Sequence, residues 1–475
     1  MPAARRSWPW LLAGLLVYGV SAATGPLWGD PSKLAVYALD TYLPSANPGD
    51  HAGWTVLAWV WLRLVWWLDP VRALHLLSAA AGAVAVALLH RLVLETTGEE
   101  RRAAGAAAVA LVAHPLWWGS AVAESYAPAL ALALGSCVLA RRESRAAAAG
   151  AGLAAGLGAA AHLFSLVVSL PRLAQQRRHR WPLLGGAVLG LAPVWLGIFG
   201  SPADPLTGHQ AGGTGTWGWH LAAFVRPASF VRGLGLLVAL AALALGPLGI
   251  WALGRAGRGR GMRPPPPLAG PALVVYACVL CTYAPFRLPL MTGFLVAGVL
   301  LLRPPALAPA GRLLHAGVQA GLLLALPWGL SAAGFGDLAL RKLPERNNAW
   351  YFLWPVKRAE TGPERYARSL LEAAPPGAVV LADFNPGAVL RLVQRRHGLR
   401  PDVEVLPTAV DDALARPDPA AVLAGRVDAA YVSGRAVVFA DDWAPYYPLD
   451  ELRQRFGWTA RSAGPGWLAV PPRQP

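Results

Sequence analysis

The sequence predicts an all-α polytopic membrane protein carrying a small α/β domain at its C-terminal end. Three observations lead there. Hydrophobic residues make up 55% of the 475-residue chain and charged ones only 14%, with a mean hydropathy of +0.41. Such values exclude a disordered chain and disfavour a water-soluble one. Long, nearly uncharged runs recur between residues 8 and 333, and a spanning helix needs about 20 such residues. Beyond residue 334 the pattern changes to short apolar runs between Gly/Pro turns, as in alternating strands and helices.

The net charge of +16 is gathered in short loops: Arg5/Arg6, Arg101/Arg102, Arg141/Arg142/Arg145, Arg172 with Arg177/Arg178/Arg180, Arg255 through Arg263, Arg303 and Arg312. Clusters of this kind hold loops on the cytoplasmic side, so the charge speaks for topology and against a nucleic-acid partner. With these loops inside, the runs thread as about eleven crossings. The first, 8–27, reads as an uncleaved span. Runs 71–94 and 103–118 form a hairpin around "TTGEERR", and 121–140 returns to "RRESR". The run 146–171 is too short for two full spans and reads as two half-helices meeting near His162. Irregular backbone at that depth requires shielding by protein or a watery cavity. Further spans are expected near 181–200, 231–253, 268–286, 288–302 and 313–333.

Residues 53–69, "GWTVLAWVWLRLVWWLD", read as a juxtamembrane helix rather than a crossing, since a crossing here would misplace every later arginine loop. The chain thus divides into a membrane domain, 1–335, whose stretch 28–70 is the first extracytoplasmic loop, and an extracytoplasmic α/β domain, 341–475. In that domain "PPGAVVLADFNPGAVLRLVQRRHGLRPDVEVLPT" reads strand, helix, strand, and "DAAYVSG", "AVVFADD" and "GWLAVPP" are further strand candidates. It contains neither GxGxxG nor a phosphate loop. The domain is expected to fold by itself. Cys137, Cys278 and Cys281 lie in apolar runs, where neither a disulfide framework nor a metal site is indicated.

Ionisable groups in apolar surroundings carry the functional signal, because each costs roughly 2.5–3.5 kcal/mol at mid-helix. The predicted topology gathers Asp30, Lys33, Asp40, Asp50, His51, Glu124, His162, Asp204, His209 and Arg287 at the outer face. Plainer readings stand beside each. Asp40 and Asp50 suit wet loops, Asp30 suits a helix N-cap, and His162 suits a structural position between half-helices. Trp117 and Trp118 suit an interfacial belt. Glu124, just inside an apolar helix, is the hardest to explain without a partner. Group transfer at the outer leaflet fits the set: a carboxylate deprotonates an acceptor hydroxyl, and cations offset a departing phosphate.

The order of parts resembles the GT-C superfamily of polyprenyl-phosphate-sugar-dependent glycosyltransferases. That order is one span, "WGD" in an external loop, a juxtamembrane helix, then "LLSAAAGAVAVALLHRLV". Within it, "NPGDHAGWTVL", "WWGSAVAESYAPAL", "GLGAAAHLFSL" and "ADPLT" look similar to the transmembrane protein 260-type family of protein O-mannosyltransferase-like proteins. The resemblance covers about residues 8–330 and the start of the tail. It implies an inverting hexosyl or mannosyl transferase of the bacterial inner membrane, with no cofactor. The donor would be a polyprenyl-phosphate sugar and the acceptor an extracytoplasmic protein hydroxyl, glycan or lipid. Asp30 would be the catalytic carboxylate, with Lys33, Asp50, His51, Glu124, Tyr126, His162, Asp204 and Arg287 binding substrate. Lys33 stands where the family has an acid. A flippase for lipid-linked saccharides and an inactive scaffold are the alternatives.

Overall fold

The computed structural model describes residues 3–44, 51–200, 202, 204–207, 227–256, 266–282, 291–338, 341–408 and 418–472. The chain is mostly helical, with one small sheet near its C-terminal end. Helix α1 (Ala3–Ser21) runs against α4 (Pro70–Thr97), and two short helices, α2 (Asp30–Leu39) and α3 (Ala52–Leu64), lie between them in sequence. The N-terminus of α4 follows from Asp69, which accepts a hydrogen bond from Arg72 N–H, and from Pro70 in the first turn. Its C-terminus follows from Gly98 at φ +70°, a left-handed cap that glycine adopts freely. Next come α5 (Glu100–Val112), α6 (His114–Ala121), α7 (Tyr126–Leu139), α8 (Arg145–Ala161) and α9 (Leu166–Leu173). Helices α10 (Arg180–Gly190), α11 (Ala192–Gly200), α12 (Phe230–Arg255), α13 (Ala269–Thr282), α14 (Thr292–Leu302) and α15 (Pro309–Ala332) complete the bundle.

Four of these segments are long and apolar enough to cross a membrane: Pro70–Thr97, Arg180–Gly200, Phe230–Arg255 and Pro309–Ala332. A fifth is His114–Ala121 with Tyr126–Leu139, counted as one span bent by 114°. The expectation of about eleven crossings is therefore corrected. Hydropathy counts runs of apolar residues, but the backbone breaks several of them. The run 103–118 divides before Pro115, the run 146–171 divides at His162, and α13 and α14 are 14 and 11 residues long. Residues 53–69, expected as a juxtamembrane helix, contain most of α3, whose 13 residues fall short of the roughly 20 that a crossing needs. Its tryptophans divide the work: Trp59 and Trp61 donate to Ala38 O and Ala73 O at 3.1 and 2.7 Å, while Trp66 and Trp67 are exposed.

Close helix contact depends on glycine. A Cβ at Gly152 would fall 1.9 Å from Leu183 O, and one at Gly186 would fall 2.1 Å from Ala149 O. Gly156 and Gly190 extend the pattern to a GxxxG pair on each helix, which lets the α8 and α10 backbones touch.

The C-terminal unit begins with α16 (Asn348–Leu353) and α17 (Gly362–Ala373). Strand β1 (Val379–Ala382), α18 (Phe384–His397), β2 (Glu404–Pro407), α19 (Pro419–Val432) and β3 (Val437–Phe439) follow. It ends with α20 (Leu449–Phe456) and the hairpin β4 (Thr459–Ala463) and β5 (Gly466–Val470). The sheet order is β2-β1-β3-β5-β4, parallel through β2-β1-β3 and antiparallel beyond. The segment "DAAYVSG", expected as a strand, is the end of α19 and the turn after it, because Leu423, Val427 and Ala430 recur at helical spacing on a buried face. Strand β4, "TARSA", was not foreseen; it is a polar edge strand.

This unit shares a core with the start of the chain. Leu27, Trp28, Trp118 and Val122 belong to the same buried cluster as Tyr351, Tyr366, Leu370, Val389 and Val438. Tyr351 donates to Trp28 O at 2.6 Å and Trp118 to Tyr351 O at 3.0 Å, while Lys357 N–H bonds Ser21 O at 2.8 Å. Arg395 pairs with Asp40 at 2.6 Å and Arg396 with Asp69 at 3.0 Å. An independently folding tail was expected; the packing argues otherwise. Truncation after residue 340 should expose Leu27, Trp28 and Trp118 and yield aggregated or protease-sensitive protein in size-exclusion and limited-proteolysis runs. A monodisperse truncated chain with an unchanged melting temperature would show that this shared core contributes nothing.

Candidate functional site

The site begins where α1 ends. Gly29 has φ +84° and ψ −147°, a region that essentially only glycine occupies, and it turns the chain into α2. The first residue of that helix is Asp30, and one turn later Lys33 brings Nζ to 3.3 Å from Asp30 Oδ1. The rings of Tyr37 and Phe384 each lie 6.0 Å from Lys33 Nζ. Asp30 is recessed among protein atoms, yet 41% of its side chain remains accessible, against 13% for Lys33. Burial alone would raise the Asp30 carboxyl; Lys33 and then His51 outweigh it and hold the group below its ordinary range.

His51 introduces α3 from a left-handed conformation, φ 58°, a strain that a non-glycine residue keeps only where its surroundings enforce it. The enforcement is visible. Nδ1 lies 2.7 Å from Ala161 O, so Nδ1 carries the hydrogen and Nε2 the lone pair. Two residues on, a Cβ at Gly53 would fall 2.5 Å from Ala161 N. Burial, aided by Lys33, pushes the imidazole down to about 4 against the pull of Asp30 and the Ala161 carbonyl. Its ring stacks on His162 at 5.2 Å. His162 occupies the break between α8 and α9, with Tyr126 at 4.7 Å and Phe164 and Phe294 each at 5.3 Å.

Glu124 lies in the break between α6 and α7, buried to 3% exposure. Helix α4 holds this break. Ser78 Oγ accepts from Glu124 N–H at 3.2 Å and donates to Glu124 O at 3.1 Å. His75 Nδ1 accepts from Ala123 N–H at 2.8 Å, which leaves Nε2–H to donate to Gly25 O at 3.0 Å. Asp30 and Lys33 are the charges that act on Glu124. Glu124 Oε2 has no hydrogen-bond partner among the described residues; nor have Trp28 Nε1, Trp54 Nε1, Ser125 Oγ and Asn385 Oδ1. Leaving a buried polar atom unsatisfied costs about 1–3 kcal/mol. These five atoms flank Gly29, Asp30, His51 and Glu124 in sequence or, for Asn385, across the contact with Gly29.

Asp30, Lys33, His51, Glu124, Tyr126 and His162 are thus one neighbourhood. Asp204 stands apart: it accepts from Leu206 and Thr207 N–H at 2.7 and 3.2 Å and from the Tyr37 hydroxyl, which ties its turn to α2. Asp40 is taken by Arg395. Asp50, His209 and Arg287 lie outside the described residues. Of Trp117 and Trp118, expected in an interfacial belt, Trp118 is buried and donates to Tyr351 O at 3.0 Å, while Trp117 is half-buried and donates to Ser21 Oγ at 2.9 Å. Sequence reasoning missed His75, Ser78, Asn385 and Lys357. Lys357 is buried, its Nζ bonded to Tyr351 O and 4.9 and 5.4 Å from the Tyr351 and Trp118 rings. Burial pushes its amine down to about 7 against Glu360. One signal was present: the chain has only three lysines. Among the described residues no group of three or more His, Cys, Asp and Glu is arranged to hold a metal.

A second polar cluster sits at the carboxyl ends of β1 and β3, where the strand order reverses and α/β sheets commonly bind ligands. Here Arg341 fills the crevice, bonding Asp383 Oδ1 and Oδ2 at 2.9 and 2.8 Å and Asp441 Oδ2 at 3.0 Å through Nε. Tyr447 donates to Asp383 at 2.8 Å, and Trp443 covers the guanidinium at 4.7 Å. This is a plugged crevice, so its role is structural.

Comparison with known families finds no family model that matches the chain, and no curated protein matches it either. The resemblance to GT-C glycosyltransferases rests on the quoted stretches of sequence.

Two outcomes follow from the buried groups. The unfolded chain takes up a proton on His51 near 6.5 and the folded chain near 4, so stability rises with pH through that window and is lost as pH falls through it. His51→Gln should flatten that part of the melting-temperature profile, a contribution on the order of 3 kcal/mol; an unaltered slope would remove His51 from the acid response. Arg341→Met leaves two carboxylates buried without their cation and should cost about 3–5 kcal/mol, read as a lower denaturation midpoint.

Proposed function

We propose that the chain is an integral-membrane glycosyltransferase that moves a sugar from a polyprenyl-phosphate carrier to an extracytoplasmic hydroxyl. The observation that carries this reading is a recessed but accessible Asp30–Lys33 pair beside His51 and Glu124, with buried polar atoms that lack protein partners on Glu124 itself and on the nearby-in-sequence Trp28, Trp54 and Ser125. Such atoms suit a ligand rich in hydroxyls, because each becomes satisfied when it binds. The aromatic group of Tyr126, His162 and Phe294 supplies an apolar wall beside them.

In the proposed reaction Asp30 takes the acceptor O–H proton as that oxygen attacks the anomeric carbon. The bond from that carbon to the phosphate oxygen breaks in the same displacement, which inverts the centre. The Lys33 ammonium offsets the charge that gathers on the departing phosphate. Asp30 is favoured over His51 as the base because its side chain is accessible whereas His51 is enclosed. Glu124, Ser125 and Trp54 hold sugar hydroxyls. Asp204 steadies α2 through Tyr37, while Asp50 and Arg287 keep the substrate-binding roles that the resemblance implies. The cytoplasmic arginine loops would put this end of the bundle, and the α/β unit docked on it, outside the bacterial inner membrane.

The 114° break beside Glu124 also suits a carrier for lipid-linked saccharides, since transporters build sites from broken helices. Chemistry separates the two readings: a carrier moves its substrate intact, whereas a transferase releases polyprenyl phosphate. Full-length protein in nanodiscs should release polyprenyl phosphate from a polyprenyl-phosphate hexose, given envelope acceptor and no nucleotide sugar. Asp30→Asn should lower kcat about 100- to 10,000-fold, Asp40→Asn should leave it within a few-fold, and Glu124→Gln should raise KM as well. A strict need for a nucleotide sugar would sink the donor assignment. An active Asp30→Asn enzyme would move the base elsewhere.

A further inference from the structure

A well-formed cleft lies away from this site. It has a volume of about 100 Å³ and lies at the other end of the same helices, where Leu92, Val168, Leu273 and Leu301 give it apolar walls and Arg141 and Arg172 stand at its rim. Along α4 the separation can be gauged. His75 serves the charged site and Thr96 borders the cleft; at about 1.5 Å per residue they are about 30 Å apart, close to the thickness of a bilayer's hydrocarbon core.

The rim carries an excess of positive charge. Arg141 is fixed by Thr96 Oγ1 at 2.9 Å, Glu95 O at 3.0 Å and the Glu95 carboxylate at 3.3 Å. That same carboxylate also serves Arg91 at 2.8 Å. Arg172 bonds the Gln175 amide oxygen at 3.0 Å and has no carboxylate partner among the described residues. Arg91 and Arg141 therefore share the Glu95 carboxylate, and Arg172 adds a further guanidinium to the lining. Beside the cleft the surface is apolar: Leu268, Val274 and Val275 of the Ala269–Thr282 helix and its approach are all exposed. A soluble anion needs the cations alone. An anion with an apolar tail uses both features.

We propose that this cleft binds an anionic membrane phospholipid. Its phosphate sits between Arg141 and Arg172, in the geometry guanidinium groups favour for phosphate. The upper part of one acyl chain enters between Leu92, Val168, Leu273 and Leu301, and the rest follows the exposed apolar surface. Basic pockets between spanning helices commonly hold anionic headgroups. The inference rests on the chain being a membrane protein and is independent of glycosyl transfer.

The test uses the full-length chain in detergent, with phosphatidylglycerol or phosphatidylcholine added, read by native mass spectrometry and thermal unfolding. One phosphatidylglycerol per chain should be retained and raise the melting temperature, with phosphatidylcholine bound at least tenfold more weakly. Arg172→Gln should weaken phosphatidylglycerol by roughly tenfold or more, the loss of one charge-assisted contact, and Arg172→Lys should restore part of it. Leu301→Trp, which fills the apolar end, should weaken binding with both arginines intact. Lipid-free melting temperatures near that of the parent chain establish that each variant folds. Equal retention of the two lipids overturns the proposal, as does undiminished binding by Arg172→Gln and Leu301→Trp. If inorganic phosphate alone reproduces the thermal shift and displaces the lipid, the cleft is a soluble-anion site and the lipid assignment falls.

Discussion

His75 sits in a long apolar helix with each ring nitrogen bonded to a different stretch of non-helical backbone, Gly25 O on one side and Ala123 N–H on the other. An apolar bundle offers such backbone groups few partners, and each one left bare is costly. By meeting both, a single imidazole fixes the loop that leads to Asp30 relative to the break that carries Glu124. Ser78, one turn along, closes the same arrangement by bonding both main-chain groups of Glu124. The distance between the accessible carboxylate and the buried one is thus set by a rigid helix rather than by either loop. Sites built in this way hold their geometry better than sites on free loops.

The second support comes from the far end of the chain. Phe384 covers Lys33, Asn385 faces Gly29, and Tyr351 bonds Trp28 O. The α/β unit therefore forms one wall of the charged neighbourhood, and its own switch-point crevice is closed by Arg341. A fold whose usual binding place is plugged can serve as a brace, and here it braces the segment that emerges from the first helix.

How much of this was legible in the sequence depended on how local the cause was. Strands β1, β2, β3 and β5 were readable because short β-branched runs between turns carry their own signal. "DAAYVSG" misled because its apolar residues also fit a helical face, and the preceding residues decide which period wins. Span counting overshot because hydropathy is blind to a break such as the one at His162 or before Pro115. Asp30, His51, Glu124 and His162 stood out because an ionisable group in apolar surroundings is conspicuous by itself. His75 did not: one histidine in a helix looks ordinary until Gly25 and Ala123 are seen on either side of it. Lys357 was equally silent, since the rings that enclose it come from Trp118 and Tyr351.

The bond between Tyr351 and Trp28 joins residues 323 positions apart, and this separation has a consequence for biogenesis. Ribosomes add about 5–20 residues per second, so the loop that carries Asp30 exists for roughly 15–60 s before the segment that covers it has been made. Throughout that interval Leu27 and Trp28 lack the neighbours that bury them. The nascent chain is then a bundle with an unfinished mouth, and the charged neighbourhood is assembled by one of the last events of synthesis. Completion of the polypeptide thereby becomes the step that forms this neighbourhood.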